Sequence, residues 1–445
     1  MAGGIWTTQN KVRPGVYIRF QSNSGTGLTV GQRGTVAICE PMSWGPVGQV
    51  MTIEAGADTT PYCGYDITNS NAMFLREIFK GTNVTGAPTT VLLYRPSADS
   101  AVQATATISP LTATALYPGV RGNDISIAIT ALTEPKSSFL VTTMVDGDVV
   151  DEQTAAQVSD LAANEWVTFS GTGALAANTG TALTNGADGT VQDAAYSTFL
   201  TNIEPYQFDI LIYDGNSPTV QTAMTSFVQR MCEENGQWCQ LVASGLTNPD
   251  SQYVINNEVG VILSDGTTLT PQQVTWWLGG AEAGANYNES LTYAQYPGAV
   301  DVSPKLTNSQ IIDGINSGEL ILFEEFGVVK VETDINSLVT YTPDTGKIFR
   351  KNRVMRLCSS IANDIYQQFS ASYIGRVNNN TEGQALFKSA IVGYMLQLQG
   401  AQAIQNFSAD DVEVSTGSES DSIVVNIAVQ AVNSVEKVYM TVTVS

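Results

Sequence analysis

The sequence predicts a multidomain α+β protein with a central α/β domain containing a mixed sheet, a β-rich insertion, a C-terminal α+β domain and extended arms at both ends. Three observations predict it. Strand and helix patterns alternate between residues 191 and 346, which favours a parallel or mixed sheet. Short alternating runs between turn residues fill residues 98–190, which favours a sandwich or a small barrel. Runs of strict period-2 alternation lie close to both termini.

The C-terminal end carries two alternating runs, residues 423–432 and 435–444, which are joined only by Asn433 and Ser434. Two-residue hairpin turns usually need glycine, so this link favours a last strand that extends away from the first. The apolar face of that last strand consists of Val438, Met440, Val442 and Val444. An unpaired apolar strand is a poor end for a monomer, and we expect a sheet to cover it, either the chain's own or a neighbour's.

Composition disfavours several classes of function. The chain has 42 acidic and 20 basic residues, a net charge of −22, which disfavours nucleic acid or a membrane as the main partner. It contains no histidine, which removes the commonest general base and the imidazole metal ligands. The five cysteines form no C-x-x-C pair and are expected to be reduced and mostly buried. Without a signal peptide or a long apolar run, the protein is expected to be made in the cytoplasm and to stay soluble.

Residues 1–22 are predicted to be an arm that ends in a strand. A Pro14-Gly15 turn precedes the strand, and apolar residues alternate along it. The strand consists of Val16, Tyr17, Ile18, Arg19 and Phe20. Both termini are therefore predicted to carry an arm with a strand.

Two units are predicted between this arm and residue 190. Residues 23–97 form a small α/β unit with strands at 34–39 and 90–95 and a helix at 70–79. Residues 98–190 form the β-rich insertion, which is expected to be a surface decoration. Its predicted strands lie at 101–109, 125–132, 138–145 and 166–170.

The central domain, residues 191–346, is predicted to contain a βαβ unit. A strand at 208–213 is followed by a helix that begins at Ser217-Pro218, and a second strand follows at 239–243. A helix at 270–285 and a hairpin about Gly327 complete this domain.

The last domain, residues 347–432, is predicted to begin with a long amphipathic helix. A second helix opens with a capping box from Thr381 to Gln384 and runs to about Ile404. Residues 433–445 form the C-terminal arm, with Asn433 and Ser434 as its hinge.

Motifs that resemble ligand sites are weak, and no cofactor or metal is predicted. The run Gly171–Ala176 resembles a dinucleotide fingerprint but lacks a following helix, which favours a loop. The turn Asp214–Ser217 follows a strand where α/β proteins often bind ligands, although helix capping explains it as well. An acidic group without the EF-hand spacing favours a solvated turn over calcium, and consists of Asp146, Asp148, Asp151 and Glu152.

A basic cluster stands out in this acidic chain, with five of its 20 basic residues within ten positions. Its members are Lys347, Arg350, Lys351, Arg353 and Arg356. Such a cluster is either a solvated helix surface or a dedicated contact with an acidic partner, and both interpretations stay open.

Taken together, these residues resemble the tail sheath protein of contractile-tailed phages, R-type bacteriocins and related contractile injection machines. The resemblance rests on the arm from Asn10 to Ile18, the central α/β domain, the basic segment Phe349–Arg353 and the paired terminal strands. It covers nearly the whole chain in order of parts, and it is most specific at residues 10–20 and 347–445.

The resemblance implies a structural protein and no enzyme. Sheath subunits stack as helically related rings around an inner tube and contract on a baseplate signal without a nucleotide. The implied partners are other copies of the chain, the tail tube protein, and baseplate and tail terminator proteins, with no nucleic acid or membrane. The implied location is the bacterial host cytoplasm and then a virion tail or a released contractile particle.

The resemblance also implies roles for individual residues. In this family the arms join a sheet of neighbouring subunits, so Val16–Phe20 would be one intersubunit strand and the basic cluster would face the tube. The residues of the other intersubunit strand would be Val435, Val438, Tyr439, Met440, Val442 and Val444.

Two alternatives remain open. One is a cytosolic α/β ligand-binding protein or an enzyme that works without histidine, using the crevice beyond Tyr213 and Asp214. The other is the tail tube protein, although tube proteins are generally much smaller.

Overall fold

The structure, a computed structural model, describes residues 3–4, 16–17 and 30–443. Near the N-terminus it gives two strands, β1 (Gly3–Gly4) and β2 (Val16–Tyr17), whose backbones pair in parallel. From residue 31 onwards the chain divides into two compact units. The first is built around residues 31–363 and includes the segment from Ala431, and the second is built around residues 364–430.

The segment before the insertion forms three strands and two short helices. They are β3 (Thr35–Cys39), β4 (Val50–Glu54), α1 (Thr60–Cys63), α2 (Met73–Ile78) and β5 (Thr90–Tyr94). β5 pairs in parallel with β3 and antiparallel with β4. β3 and β5 are buried along almost their whole length, which explains why their sequences are continuous apolar runs. β4, at the sheet edge, has no counterpart in the sequence prediction.

The insertion is a β-sandwich, which confirms the predicted β-rich domain and decides between sandwich and barrel. Its strands are β6 (Thr105–Ile108), β7 (Leu111–Ala115), β8 (Ile125–Ala131), β9 (Phe139–Val145), β10 (Asp148–Ala155), β11 (Val167–Ser170) and β12 (Asn178–Ala182). One sheet has the order β10-β9-β8-β12 and the other β11-β7-β6. Their inner faces share one apolar core that includes Ile127, Val141 and Val167.

Two motifs that were considered as ligand sites lie in turns of this sandwich. Asp146 and Gly147 join β9 to β10 with φ values of +55° and +93°, as an Asp-Gly hairpin turn requires. The Asp146 carboxylate accepts from the guanidinium of Arg121 at 2.7 Å. Gly171 lies in the loop after β11 with φ +126°, where a Cβ would come within 2.1 Å of Pro110 O. Backbone geometry therefore accounts for the glycine that suggested a nucleotide fingerprint.

The segment after the insertion supplies four helices and nine strands. They are α3 (Asp193–Ile203), β13 (Ile210–Ile212), α4 (Pro218–Glu233), β14 (Gln240–Ser244), β15 (Val254–Asn257), β16 (Gly260–Leu263), β17 (Thr268–Leu269), α5 (Pro271–Gly284), β18 (Ala299–Ser303), α6 (Asn308–Ser317), β19 (Glu319–Leu320), β20 (Leu322–Glu325) and β21 (Val328–Val331). β13 and β14 pair in parallel across α4, as the predicted βαβ unit requires. Ser217 caps α4 and Pro218 starts it, and β20 and β21 form the predicted hairpin about Gly327.

One seven-stranded sheet runs through the first unit in the order β19-β15-β14-β13-β3-β5-β4. Its centre is the parallel pair β13 and β3, in which Ile210 lies beside Val36 and Ile212 beside Ile38. Strands from residues 23–97 and from residues 191–346, which the sequence predicts as two units, thus share one sheet. The pairing of β3 with β13 joins residues on either side of the insertion. Local periodicity does not depend on such long-range pairing, so the sequence pattern could not reveal it.

Helices cover both faces of this sheet. Val36, Ile38 and Ile212 point into a core that contains Trp277 of α5. The alternate residues Ala37 and Leu211 point into a second core formed with α3 and α4. The sheet is therefore the middle layer of three, as in other α/β domains.

The second unit is built from two helices and short strands. α7 (Asn352–Ser372), which starts in the first unit, is followed by α8 (Thr381–Gly400), β22 (Ile404–Gln405), β23 (Val412–Thr416), β24 (Ile423–Ile427) and β25 (Gln430–Ala431). β23 pairs antiparallel with β24. None of the described helices combines the length and apolar character needed to cross a bilayer.

The start of α8 differs from the predicted capping box. The side chain of Asn380 is the cap and accepts from the Gly383 N–H at 2.8 Å. The side chain of Gln384 instead donates to Asn379 and to Thr416 of β23. The predicted box is wrong because asparagine caps a helix as well as threonine does and precedes it by one residue.

Two glycines let α5 pack closely. A Cβ at Gly280 would come within 2.0 Å of Ile78 O, and a Cβ at Gly279 within 2.4 Å of Ile212 Cδ1. The indole of Trp277 stacks on Tyr296 at 4.1 Å and donates to Gly81 O. This close approach places α5 against both the sheet and α2.

We expect Gly280→Ala to lower the free energy of unfolding by about 2 to 3 kcal/mol, because a methyl group cannot be placed against a backbone oxygen without moving the helix. Gly393→Ala is the control, since this exposed glycine of α8 has open space around its Cβ. That change should stabilise α8 by about 0.5 to 1 kcal/mol. Thermal unfolding followed by circular dichroism measures both, and equal effects of the two changes would contradict the close-packing argument.

Candidate functional site

Most of the described part of the C-terminal arm is exposed. Residues 433–443 contain neither helix nor strand, so the described part of the last predicted strand does not pair within the subunit. Its apolar side chains are largely exposed, with 74% for Val438, 79% for Met440 and 75% for Val442. Val435 and Tyr439 are exposed as well, and Val444 lies outside the described residues. The arm thus presents an alternating apolar strand sequence without a sheet.

Glu436 attaches the start of this arm to the first unit. Its carboxylate lies 2.5 Å from the ammonium group of Lys351. It also accepts from the hydroxyl of Thr292 at 3.2 Å and from that of Thr333 at 3.5 Å. The side chains of Glu436 and Lys351 are 17% and 22% exposed, so the pair is largely shielded from water.

The two residues predicted as a hinge precede this contact. The N–H of Ser434 donates to the side-chain oxygen of Asn433 at 2.9 Å. This local bond replaces a ladder hydrogen bond, which fits the end of strand pairing after β25. The hinge role stays a prediction.

The N-terminal strand is described only in part. Val16 and Tyr17 form β2 and pair with Gly3 and Gly4. Ile18, Arg19 and Phe20 lie outside the described residues. An intersubunit role for this strand stays a prediction.

The basic cluster is largely engaged inside the subunit. Lys347 is exposed, whereas Arg350 is half-buried and donates to Ile315 O and the Tyr341 hydroxyl. Lys351 bonds Glu436. Arg353 is half-buried, and burial lowers its pKa. The segment is therefore not a uniformly solvated face.

The predicted tube-facing position of Arg356 is wrong. Its side chain is fully buried between two acidic residues, Glu282 of α5 and Asp334, with 2.6 Å to the Asp334 carboxylate. It also donates to Glu289 O at 2.8 Å. A guanidinium enclosed in this way cannot face a tube, so Arg356 is a structural residue that joins α7 to α5.

The buried triad Glu282–Arg356–Asp334 contains one more acid than base. Burial, followed by repulsion from Asp334, raises the pKa of Glu282 to about 8. Burial alone would raise the pKa of Asp334 too, but the Arg356 guanidinium and the Leu291 N–H lower it. Asp334 Oδ1 is buried without another donor, and a proton on Glu282 would supply one. We therefore expect Glu282 to be the acid of this triad that holds a proton.

Sequence reasoning missed Glu436, Glu282 and Asp334. Glu436 is a single acid beside an apolar run, and Glu282 is an acid among the small and aromatic residues of α5. An acid in an otherwise apolar stretch was the available signal, since such a group is buried only with a partner. The identity of the partner, Lys351 or Arg356, depends on tertiary contacts.

Asp214, which borders the crevice that the enzyme alternative requires, bonds another side chain of the fold. Its carboxylate accepts from the Trp276 indole at 2.8 Å, and burial raises its pKa. Glu40, at the end of the neighbouring strand, also has a raised pKa through burial and through Asp214. Among the described residues no acidic or cysteine cluster suits a metal ion.

Four protein-family models match successive parts of the chain. They are the tail sheath protein Gp18 domain III N-terminal region at residues 33–95, the phage tail sheath protein beta-sandwich domain at 99–188, the phage tail sheath protein central domain at 189–337 and the phage tail sheath C-terminal domain at 344–445.

Relatives and solved structures agree with these models. The chain is 34% identical to the phage-like element PBSX protein XkdK of Bacillus subtilis (strain 168), over 100% of both chains. It is 39% identical to the sheath tail protein of Desulfitobacterium hafniense, whose crystal structure it matches over 96% of this chain and 99% of that one with a TM-score of 0.86. At 14% identity it has the fold of the contracted helical sheath of the anti-feeding prophage, over 97% of this chain and 99% of that one with a TM-score of 0.59.

We expect Glu282→Gln to flatten the pH dependence of stability. A pKa raised to about 8 means that the stabilising contribution of Glu282 is complete below its ordinary pKa near 4.3 and is lost as the pH rises through about 8. The loss amounts to at most about 1.4 kcal/mol per pH unit. Glutamine imitates the protonated acid. The stability of the variant relative to the wild type should therefore increase as the pH rises from 5 to 8.

Tryptophan fluorescence during thermal unfolding measures this difference. Glu165→Gln is the control, because Glu165 is exposed in the sandwich and should shift both ends of the pH range equally. Parallel curves for Glu282→Gln and the wild type between pH 5 and 8 would show that Glu282 is ionised in the fold.

Proposed function

The chain belongs to the phage tail sheath protein family, and on that premise we propose that its copies polymerise helically around an inner tail tube. In this proposal the polymer contracts and drives the tube through a target cell envelope. The observation that carries the proposal is the exposed, alternating C-terminal arm, which has a strand sequence and no strand partner within the described chain.

Energetics favour a neighbouring sheet as the partner of the arm. Burying Val438, Met440 and Val442 would contribute roughly 1.5 to 3 kcal/mol each, whereas ordering the arm costs on the order of 1 to 2 kcal/mol per residue. Ladder hydrogen bonds add only about 0.5 to 1.5 kcal/mol each. The strand is therefore stable only on a sheet that already exists, which is the condition for strand addition.

The hairpin of β23 and β24 is the sheet that we propose as the acceptor. It has two strands, so both of its edges lack a strand partner among the described residues. Two-stranded sheets are only marginally stable alone, and an added strand would extend this one. Because donor and acceptor are different surfaces, the contact is head-to-tail, and it generates an open helical filament when the rotation between copies does not close a ring.

The proposed tube contact includes fewer residues than the sequence predicted. Lys347 is the exposed member of the basic cluster, and Arg350 and Arg353 are half-buried. These three remain candidates for a contact with an acidic tube surface, while Lys351 contributes to the anchor at Glu436. Baseplate and tail terminator proteins are proposed to bind the two ends of the polymer, in a phage tail or a released contractile particle.

Deletion of residues 435–445 should leave a folded subunit that does not form sheath. The fold should persist because the apolar arm residues contribute little to the core of the subunit. Negative-stain electron microscopy of the purified protein measures assembly, and a full-length chain with Glu165→Gln is the control. Normal cylinders from the truncated chain would overturn the strand-addition proposal.

Reversing the charge of Arg350 and Arg353 to Glu should weaken assembly on purified tubes more than self-assembly of the sheath. Lys347→Glu is the cleaner variant, since Lys347 is exposed and its replacement disturbs no described hydrogen bond. Co-sedimentation with tubes at low and high salt measures the effect, because contacts between exposed charges weaken with salt. A similar loss in both assays would reject a tube-specific role.

A further inference from the structure

The start of the C-terminal arm is held at one point. Among residues 433–443, Glu436 is the residue whose side chain bonds a group outside the arm. Val435 before it and Val438 after it are exposed. The arm therefore leaves the subunit from a fixed position, and the apolar strand sequence begins directly after that position.

The groups that hold Glu436 are themselves fixed by the buried triad. The hydroxyl of Thr292 accepts from the Asp334 N–H at 3.0 Å, and Asp334 pairs with buried Arg356. Lys351 immediately precedes α7 and forms a β-bridge with Ile335. Ion pairs between mobile side chains contribute little because ordering both chains costs entropy. Here Thr292 and Lys351 are already ordered by other contacts, so Glu436 binds to a preformed site.

We propose that Glu436 is a positioning residue that clamps the start of the arm to its own subunit and presents residues 438–443 in a fixed direction to a second copy of the chain. This inference rests on the proposed function. A clamped strand loses less conformational entropy on pairing than a free one. The intersubunit contact therefore becomes stronger without any additional interaction between the two copies. The clamp also keeps the arm attached to its own subunit after residues 438–443 have paired with a second copy. A mechanical force on the paired residues would then be transmitted through Glu436 to α7.

Trypsin provides a direct readout of the clamp in the free subunit, because Lys437 follows Glu436. A protease needs a locally released segment, so the clamp should slow cleavage after Lys437. Lys351→Met removes the partner and leaves the sequence around the cleavage site unchanged. We expect cleavage there to be roughly fivefold faster in Lys351→Met and Glu436→Gln, as for loss of a partly shielded ion pair. Glu165→Gln is the control and should match the wild type.

Assembly gives the second readout. Both clamp variants should raise the subunit concentration needed for sheath formation by roughly threefold to tenfold. The double variant Glu436→Lys, Lys351→Glu should recover part of the loss, because the charges attract again. Circular dichroism confirms that each variant is folded.

The outcomes separate this inference from the proposed function. If deletion of residues 435–445 blocks assembly but Lys351→Met and Glu436→Gln are cleaved and assemble like the wild type, the clamp is overturned and strand addition stands. If the deleted chain forms normal sheath, strand addition itself fails. Faster cleavage with weakened assembly, and recovery in the double variant, supports the clamp.

Discussion

The parallel pairing of β3 with β13 joins two halves of the first unit that the sandwich separates in sequence. Asp209, just before β13, accepts from the N–H groups of Gly34 and Thr35 at the start of β3, and Arg33 pairs with it at 3.3 Å. These contacts fix the register at the centre of the seven-stranded sheet. The helices on both faces, and the sandwich inserted between β5 and β13, all depend on that register, because a shift by one residue would exchange the two cores.

A second constraint lies in how the subunit uses its few positive charges. Arg356 is neutralised inside the fold by Asp334 and also bonds Glu282, and Lys351 pairs with Glu436. A buried guanidinium without carboxylates would be very costly, so the acids near the start of α7 serve the fold first. Among the five residues of the basic cluster, Lys347 is the fully exposed one, and Arg350 and Arg353 are half-buried.

The arm and the rest of the subunit differ in how their apolar residues are exposed to solvent. The body has extensive buried apolar cores, whereas the arm leaves Val438, Met440 and Val442 in solvent. An exposed apolar segment with a strand sequence is a liability for a monomer, which is why we propose a second copy of the chain as its cover. The anchor at Glu436 connects the two parts, because it fixes the start of the arm to the first unit and leaves residues 438–443 exposed. That combination suits a polymer whose subunits stay linked while their bodies move.

The sequence by itself determined the elements and their classes. Ser217-Pro218 revealed the start of α4 and turn residues revealed the sandwich, because each is a local property of neighbouring residues. The strand in the C-terminal arm stays a prediction from period-2 alternation. Only the tertiary structure decided which groups meet. The pairing of β3 with β13, the burial of Arg356 and the contact of Glu436 with Lys351 join residues far apart in the chain, and a local pattern carries no information about such partners.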